Sequence, residues 1–307
     1  MKPNSFAAWV LAVRPYSLVN AVMLICVASA FAFSEGGFRW LPALLCLVFA
    51  VLMQCTANLV NDLCDFLKGA DLPDRLGPDR AFAKGYITMP VMKRGIACFT
   101  VAAVLAGLGL LADALHRAIL PWGGWELMAV GAACLIFAYF YTAGPWPLAY
   151  HGLGDVAVVL FFGIVPVTCC TFLQTGQWST ASLIAAVACG LVIDTMLMIN
   201  NFRDRVEDAR CNKRTVVVCF GEAFGRWGYL GLGVAAIVLT LALLAYDHPA
   251  AALLPLPYLA AHLSTWRKMV RIGRGEELNR CLGETARNIS IFGLLLTLGL
   301  LLDRFIG

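Results

Sequence analysis

The chain has 307 residues, of which 61% are hydrophobic and only 14% charged, and its formal net charge is +4. A typical soluble domain carries roughly 25% charged residues, and a soluble fold of this length leaves roughly a quarter of its unfolded surface exposed. The composition therefore excludes a soluble enzyme, a disordered chain, a secreted disulfide scaffold and a nucleic-acid-binding protein, and it predicts an integral membrane protein in a lipid bilayer.

Nine apolar segments follow one another along the chain. A helix needs roughly 20 apolar residues to cross about 30 Å of hydrocarbon, and all but the eighth segment approach that length. We therefore predict an all-α integral membrane protein with nine transmembrane helices. The segments lie at 16–33, 41–66, 96–114, 125–143, 156–174, 181–202, 227–246, 250–264 and 288–303.

The basic residues are distributed unequally between the loops that join these segments. When the loops are assigned to alternate sides of the membrane, one side receives 20 of the 23 Lys and Arg residues. Most of them lie in the loops 67–95, 203–226 and 265–287. By the positive-inside rule, we expect a multi-pass protein of the inner (cytoplasmic) membrane, with a cytoplasmic N-terminus and the C-terminus outside. Long loops in compact proteins usually carry function, so we expect the site at the cytoplasmic face.

A first group of polar residues closes the second apolar segment. On a helix, Asn58, Asp62 and Asp65 follow one another at i, i+4 and i+7 and therefore share one face. Asn61 and Asp65 are likewise i, i+4 partners. The whole group comprises Asn58, Asn61, Asp62, Asp65, Lys68 and Asp71.

A second group with a similar arrangement closes the sixth segment. Asp204 and Asp208 are i, i+4 partners, and Asn200 and Asn201 precede Asp204 by one helical turn. The alternation of loops places both groups on the same side of the membrane. This second group comprises Asn200, Asn201, Arg203, Asp204, Asp208, Lys213 and Arg214.

Carboxylates brought together from both groups would repel one another. At about 6 Å and an effective dielectric constant of about 20, each pair costs about 3 kcal/mol. A divalent cation relieves this repulsion, and ligands that are all oxygen favour Mg²⁺, which also binds substrate phosphates. Nearby Arg and Lys side chains complement diphosphate oxygens. The pattern therefore predicts an isoprenoid diphosphate site. The alternative is that these polar residues only lie at the membrane interface, which would readily explain one such group but less readily two similar groups on the same side.

The two groups resemble the two signatures of the UbiA superfamily of intramembrane aromatic prenyltransferases, an NDxxDxxxD-like first motif and a DxxxD second motif. The first departs from that form, because Gly69 occupies the position of the last Asp and Asp71 follows two residues later. This variant resembles the branch that prenylates 1,4-dihydroxy-2-naphthoate in menaquinone biosynthesis. The motifs that carry the resemblance are Arg14-Pro15-x-Ser17-Leu18 (with Tyr16 at the usual lysine), Asn61-Asp62-x-x-Asp65, Lys84-Gly85-x-Ile87-Thr88, Gly152-Leu153-Gly154-Asp155, Phe161-Phe162-Gly163, Asp204-x-x-x-Asp208 and Lys213-Arg214-Thr215.

The resemblance implies a nine-helix bundle around a central cavity with cytoplasmic cap loops, as a single transmembrane prenyltransferase domain over residues 1–307. It implies that Mg²⁺ and a polyprenyl diphosphate bind there, and that pyrophosphate leaves an allylic cation in a water-poor pocket. The aromatic acceptor then attacks and loses its carboxylate, which gives demethylmenaquinone. The implied Mg²⁺ ligands, also named as catalytic, are Asp62, Asp65, Asp204 and Asp208. The implied diphosphate ligands are Asn58, Asn61, Lys68, Arg75, Arg80, Asn201, Arg203, Lys213 and Arg214.

Four further residues are candidates for the aromatic acceptor site. Asp194 lies in the middle of an apolar segment, where a carboxylate is a functional hypothesis by default, although a hydrogen-bonded helix contact is the alternative. Tyr141 and Asp155 flank a cytoplasmic loop without Lys or Arg, which favours a role facing the cavity. Asp71 completes the set through its place in the variant first motif.

Two other functions remain open at the level of sequence. The acceptor is 4-hydroxybenzoate, homogentisate or a specialised phenol in other branches of the superfamily, and Tyr16 keeps those branches in view. A secondary transporter would place its acidic residues near the membrane midplane of repeated halves. Here the acids gather at one face and no repeat is visible, so the transporter is the weaker hypothesis.

Overall fold

The computed structural model describes residues 1–69 and 76–306. Within these ranges the chain is helical, and the only β-type pairing is a single bridge between His151 and Arg214. Asp71 and Arg75, both predicted site residues, lie outside the described residues. The helices are α1 Phe6–Val13, α2 Pro15–Ser34, α3 Trp40–Leu67, α4 Met89–His116, α5 Trp125–Phe140, α6 Gly154–Val159, α7 Val165–Thr175, α8 Thr180–Arg210, α9 Val216–Phe220, α10 Glu222–Leu241, α11 Pro249–Leu253, α12 Pro257–Ile272 and α13 Leu278–Ile306.

Seven helices in the described part of the chain are long and apolar enough to cross a membrane, which indicates a multi-pass membrane protein. They correspond to seven of the nine predicted segments and confirm the all-α prediction. Of the other two segments, 125–143 forms the 16-residue apolar helix α5. The segment 250–264 is divided between α11 and α12. Pro257 explains the division, because proline has no N–H to continue a helix and favours its first turn.

Two predicted loops prove to be largely helical. We expected a loop at 203–226, but α8 continues to Arg210, α9 follows, and α10 begins at Glu222. The predicted loop 265–287 is likewise occupied by the ends of α12 and α13. Charge therefore marks the end of the apolar segment and not the end of the helix, in keeping with the i, i+4 spacing of Asp204 and Asp208. The second acidic motif is therefore held on a continuous helix.

The long helix α8 lies at the centre of the bundle and packs against α6, α7, α10 and α13. Small residues allow this close packing, as at the crossing of Gly163 and Gly190. A Cβ atom added to Gly163 would lie 2.6 Å from the backbone of α8. Gly163 belongs to a π-helical turn, Leu160–Ile164, that joins α6 to α7. The close crossing fixes α6 and its neighbouring loop against the middle of α8.

Candidate active site

A cavity of about 250 Å³, here called the polar cavity, lies where the C-terminal ends of α3 and α8 face each other. It brings together ten of the predicted site residues: Asn58, Asn61, Asp65, Arg80, Tyr141, Asp155, Asn201, Asp204, Asp208 and Lys213. Five others are placed elsewhere by the fold and do not line it: Asp62, Lys68, Asp194, Arg203 and Arg214. The polar ends of two distant segments of the sequence therefore form one site.

At the end of α3, Asp65 is held by neighbouring protein groups. Asn61 Nδ2 donates to Asp65 Oδ2 at 2.9 Å, and the Tyr150 hydroxyl donates to Oδ1 at 3.1 Å. Arg14, at the junction of α1 and α2, donates in turn to Asn61 Oδ1 at 3.2 Å. Both oxygens of Asp65 are thus oriented before any ligand binds.

Asp62 is not among the residues that line the polar cavity, although its spacing places it on the same helix face as Asn58. Its side chain is buried, and Oδ2 accepts a hydrogen bond from the backbone N–H of Phe82 at 3.2 Å. This contact ties α3 to the segment that precedes α4. The structure therefore gives Asp62 a contact within the fold, and its role as a Mg²⁺ ligand stays a prediction.

The first motif ends at Gly69 because the helix ends there. Gly69 has φ +72°, a left-handed conformation that glycine adopts without strain and that commonly terminates a helix. An Asp at this position would be strained in that conformation. The departure from the family pattern thus has a local backbone reason.

The second motif is neutralised by two basic side chains. Arg203 is fully buried and donates to both oxygens of Asp204 at 2.6 Å, while its third nitrogen donates to Asn279 at 2.8 Å. Lys213 lies 3.3 Å from Asp208 Oδ1. Arg203 is therefore committed to Asp204, and Lys213 is a basic residue of this motif that lines the polar cavity.

Two carboxylate oxygens of the second motif have no hydrogen-bond partner among the described residues. They are Oδ2 of Asp208 and Oε2 of Glu207, and both are buried. Buried polar atoms are nearly always paired, so each such atom needs an explanation. Since both residues line the polar cavity, a ligand bound there can supply the missing partner.

Tyr150 connects the two motifs. Its hydroxyl donates to Asp65, and its ring lies 4.5 Å from Lys68 Nζ and 5.8 Å from Lys213 Nζ. Burial raises the pKa of the Tyr150 hydroxyl, and Asp65 raises it further, so the phenol remains a donor. Burial is the largest single influence on the pKa of Lys213 and lowers it, but Asp208, Asp65 and Asp204 together outweigh burial, so the pKa is raised above its ordinary value.

The donor set of the polar cavity fits Mg²⁺ shared with a phosphate ligand. Its acidic and amide side chains offer only oxygen ligands, as Mg²⁺ prefers. Within the described residues no three His, Cys, Asp or Glu side chains are close enough to hold an ion by themselves. Mg²⁺ usually binds through one or two carboxylates together with waters and substrate phosphates. The unpaired oxygen of Asp208 matches that mode of binding.

A second cavity of about 360 Å³, here called the apolar cavity, continues from the polar one. Gln54, Phe137 and Phe162 line both. Its far side lies between α4 and α5, where Leu108 and Met128 are 52% and 45% exposed. The two cavities together form a chamber with a polar head and an apolar arm that reaches the lipid-facing surface.

Aromatic rings stand at the junction of the two cavities. Phe137 of α5 stacks on Phe161 of the π-helical turn at a centroid distance of 4.2 Å, and it meets Tyr141 edge-on at 5.4 Å. Asp155 begins α6 beside Tyr141 and lines the polar cavity. A planar ligand could stack here while its polar groups meet Tyr141 and Asp155.

The sequence pattern of the UbiA prenyltransferase family matches residues 22–292. The chain belongs to this family. It is 41% identical over 71% of its length to the 1,4-dihydroxy-2-naphthoate octaprenyltransferase of Escherichia coli, covering 70% of that protein. It is 37% identical over 78% of its length to the enzyme of the same name from Mycobacterium tuberculosis, covering 79% of it. The predicted family resemblance is therefore confirmed.

Solved structures of the family share the fold. An apo UbiA homologue from Aeropyrum pernix has a TM-score of 0.67 at 14% identity, with 92% of this chain and 97% of that one covered. A homologue from Archaeoglobus fulgidus, bound to DMAPP and Mg²⁺, has a TM-score of 0.60 at 14% identity, with 94% and 98% covered. At this identity the likeness concerns the arrangement of helices.

Three residues of the site were missed by the analysis of motifs. Arg14 stands in a motif that carries the resemblance, but we gave it no role; its contact with Asn61 depends on the turn between α1 and α2. Glu207 lies between Asp204 and Asp208 on α8, and it lines the polar cavity together with them. Tyr150 had no sequence signal, because it lies in a short 3₁₀ turn, Leu148–Tyr150, outside any motif.

Proposed function

We propose that this protein transfers a polyprenyl group from polyprenyl diphosphate to 1,4-dihydroxy-2-naphthoate, with decarboxylation, to give demethylmenaquinone in its reduced, hydroquinone form. The observation that carries this proposal is the polar cavity, with its acids and Lys213, opening into an apolar cavity long enough to begin a prenyl chain. The relatives named above support the same acceptor. The diphosphate lies in the polar head, and the chain leaves through the apolar arm into lipid.

In this mechanism the polar cavity binds the diphosphate and stabilises its departure. Asp65, Asp204 and Asp208, which line this cavity, would hold Mg²⁺, and the bound ion would neutralise the diphosphate and make it a better leaving group. Lys213 and Arg80 line the same cavity and complement the remaining negative charge. The amides of Asn61 and Asn201 orient the phosphate oxygens. Arg75 and Asp71 are also predicted to contribute, and both lie outside the described residues.

The bond changes follow from this placement. The C–O bond between the prenyl carbon and the diphosphate breaks, and the electron pair leaves with pyrophosphate. The allylic cation forms beside Phe137 and Phe162, whose ring faces attract positive charge. The ring carbon of the acceptor, held by Tyr141 and Asp155, forms the new C–C bond. The bond to its carboxylate then breaks, releases CO₂ and restores the aromatic ring.

The experiment that tests this function is a product analysis. Membranes containing the protein receive a polyprenyl diphosphate and, separately, 1,4-dihydroxy-2-naphthoate, 4-hydroxybenzoate or homogentisate. Mass spectrometry should detect demethylmenaquinone only with the naphthoate and only when the protein is present. Prenylation of another aromatic in its place would contradict the proposed acceptor and retain the reaction type.

We also propose that the chain forms one transmembrane domain of nine spans, with α5 as the fourth and α11 with α12 as the eighth. The excess of basic residues then places the polar cavity, under cap segments that include residues 76–88, at the cytoplasmic face of the inner membrane. The N-terminus is cytoplasmic and the C-terminus lies outside.

A single cysteine near Arg80 in a cysteine-free variant should resist an impermeant thiol reagent in intact cells. Ready labelling would contradict this orientation.

A further inference from the structure

A third opening lies on the outer surface of the bundle and shares no lining residue with the apolar cavity. This lateral groove, of about 360 Å³, runs between α6 and α10, and α8 forms its floor. The face of α10 that borders it carries Gly228, Gly231 and Ala235, whose small side chains leave the space open. Phe224, 42% exposed, borders the groove at the beginning of α10.

Two carboxyl groups lie along the lateral groove. Asp194, near the middle of α8, is 2% exposed, and Asp155 begins α6. Oδ1 of each is buried without a hydrogen-bond partner among the described residues. Acids inside a membrane protein that lack protein partners mark a ligand or its path. The unpaired oxygens therefore call for a ligand that donates hydrogen bonds.

Asp155 also connects the lateral groove with the polar cavity, because it lines both. The two openings to the surface therefore reach the site past different residues. The apolar cavity reaches it past Phe137 and Phe162, and the lateral groove reaches it past Asp155. A bound donor fills the first route with its prenyl chain, so a second substrate needs another path.

We propose that the lateral groove is the route by which the aromatic acceptor reaches the site, a proposal that rests on the function proposed above. The acceptor is planar and carries hydroxyl groups, so it fits a shallow groove and donates first to Asp194 and then to Asp155. A lipid acyl chain has no hydrogen-bond donor and leaves both oxygens unpaired. Separate routes allow the acceptor to bind after the donor.

Glycines on three helices provide matched variants for a test. A Cβ atom at Gly231, Gly131 or Gly283 meets nothing within 4 Å, so a larger side chain has room at each position. Gly231 borders the lateral groove and Gly131 borders the apolar cavity, whereas Gly283, exposed on α13, borders neither. Gly231→Trp thus obstructs the lateral groove, and Gly131→Trp obstructs the apolar cavity. Gly283→Trp obstructs neither and is the control.

The measurement is the rate at which 1,4-dihydroxy-2-naphthoate binds to and leaves the full-length protein in nanodiscs, followed by stopped-flow fluorescence. An obstruction in a route slows both steps and leaves the equilibrium constant unchanged, so Gly231→Trp should slow association and dissociation alike, each by about tenfold. Gly231→Leu should fall between Gly231→Trp and the wild type. Gly131→Trp should leave the acceptor rates unchanged but lower kcat/KM for polyprenyl diphosphate.

Acceptor rates in Gly231→Trp equal to those in Gly283→Trp would overturn the proposal. So would a changed dissociation constant with unchanged association, because the groove would then be a binding site or a packing contact. If the wild-type protein prenylates another aromatic, the proposed acceptor fails, and the same variants measured with that aromatic still decide the route. Thermal unfolding confirms that each variant is folded.

Discussion

At the end of α3 both oxygens of Asp65 accept hydrogen bonds from protein side chains, whereas at the end of α8 one oxygen of Asp208 accepts none from the described residues. The two acidic motifs have similar spacing in the sequence and lie in the same cavity. They differ in what surrounds them. In the first motif Asp65 is oriented by Asn61 and Tyr150, while in the second motif Arg203 holds Asp204 but Asp208 and Glu207 each keep one oxygen open for a ligand. The difference indicates that α3 fixes the geometry and α8 supplies the free ligands.

The largest effect is expected from removing divalent cations, since the open positions of the second motif need a cation. Chelation with EDTA should lower prenyl transfer by at least about 100-fold, because charge on the departing diphosphate is no longer neutralised. Added Mg²⁺ should restore the rate, measured as product formed by membranes washed free of metal. Full activity after thorough chelation would show that the open positions of the second motif do not need a cation, and the proposed difference between the two motifs would fail.

The next largest effect is expected from Asp208→Asn. This change removes a charged ligand from a largely buried site and should lower kcat by about 10² to 10³. The donor KM should rise as well, because the same carboxylate holds the ion that binds the diphosphate. Glu276→Gln, an exposed carboxylate on the segment before α13, is the control and should leave both constants unchanged. An active Asp208→Asn enzyme would contradict the role assigned to α8.

A variant of Asp62 tests whether all acids of the first motif act alike, because Asp62 is not among the residues that line the polar cavity. Asp62→Ala leaves the N–H of Phe82 without its acceptor and should lower the free energy of unfolding by about 1–3 kcal/mol. The donor KM of the folded fraction should change little. Thermal unfolding in detergent and steady-state kinetics measure the two effects. A large rise in donor KM without loss of stability would instead show Asp62 to be a ligand of the diphosphate or its metal.

The smallest effect is expected from Tyr150→Phe. The substitution removes one hydrogen bond to Asp65, worth about 1 kcal/mol, and keeps the ring beside Lys68 and Lys213. We expect kcat/KM for the donor to fall by about fivefold, which corresponds to about 1 kcal/mol. Tyr150→Ala, which also removes the ring, should cost more. Equal losses in the two variants would show that the hydroxyl carries the whole contribution.

Sequence reasoning reached the fold and much of the site for identifiable reasons. Apolar segments long enough to span a bilayer are visible directly in the sequence, and helical periodicity places Asp65 and Asp208 on the helix faces that line the polar cavity. Periodicity alone could not separate Asp62, which accepts a hydrogen bond from the backbone of Phe82, from Asp65, which lines the polar cavity. Arg203, predicted as a diphosphate ligand, donates to both oxygens of the adjacent Asp204. A contact between distant segments decides the first case and the direction of neighbouring side chains decides the second, and spacing specifies neither.

The π-helical turn at Leu160–Ile164 adds one residue to what would otherwise be a regular helix. One residue corresponds to about 100° of rotation in an α-helix, so the turn sets which way α6 faces relative to α7. The direction of Asp155 therefore depends on a residue count as well as on residue types. Deleting Leu160 would keep every acid in the sequence and yet swing Asp155 away from the cavity. Such single-residue length changes give a membrane helix a way to alter what it presents to a substrate without altering any functional side chain.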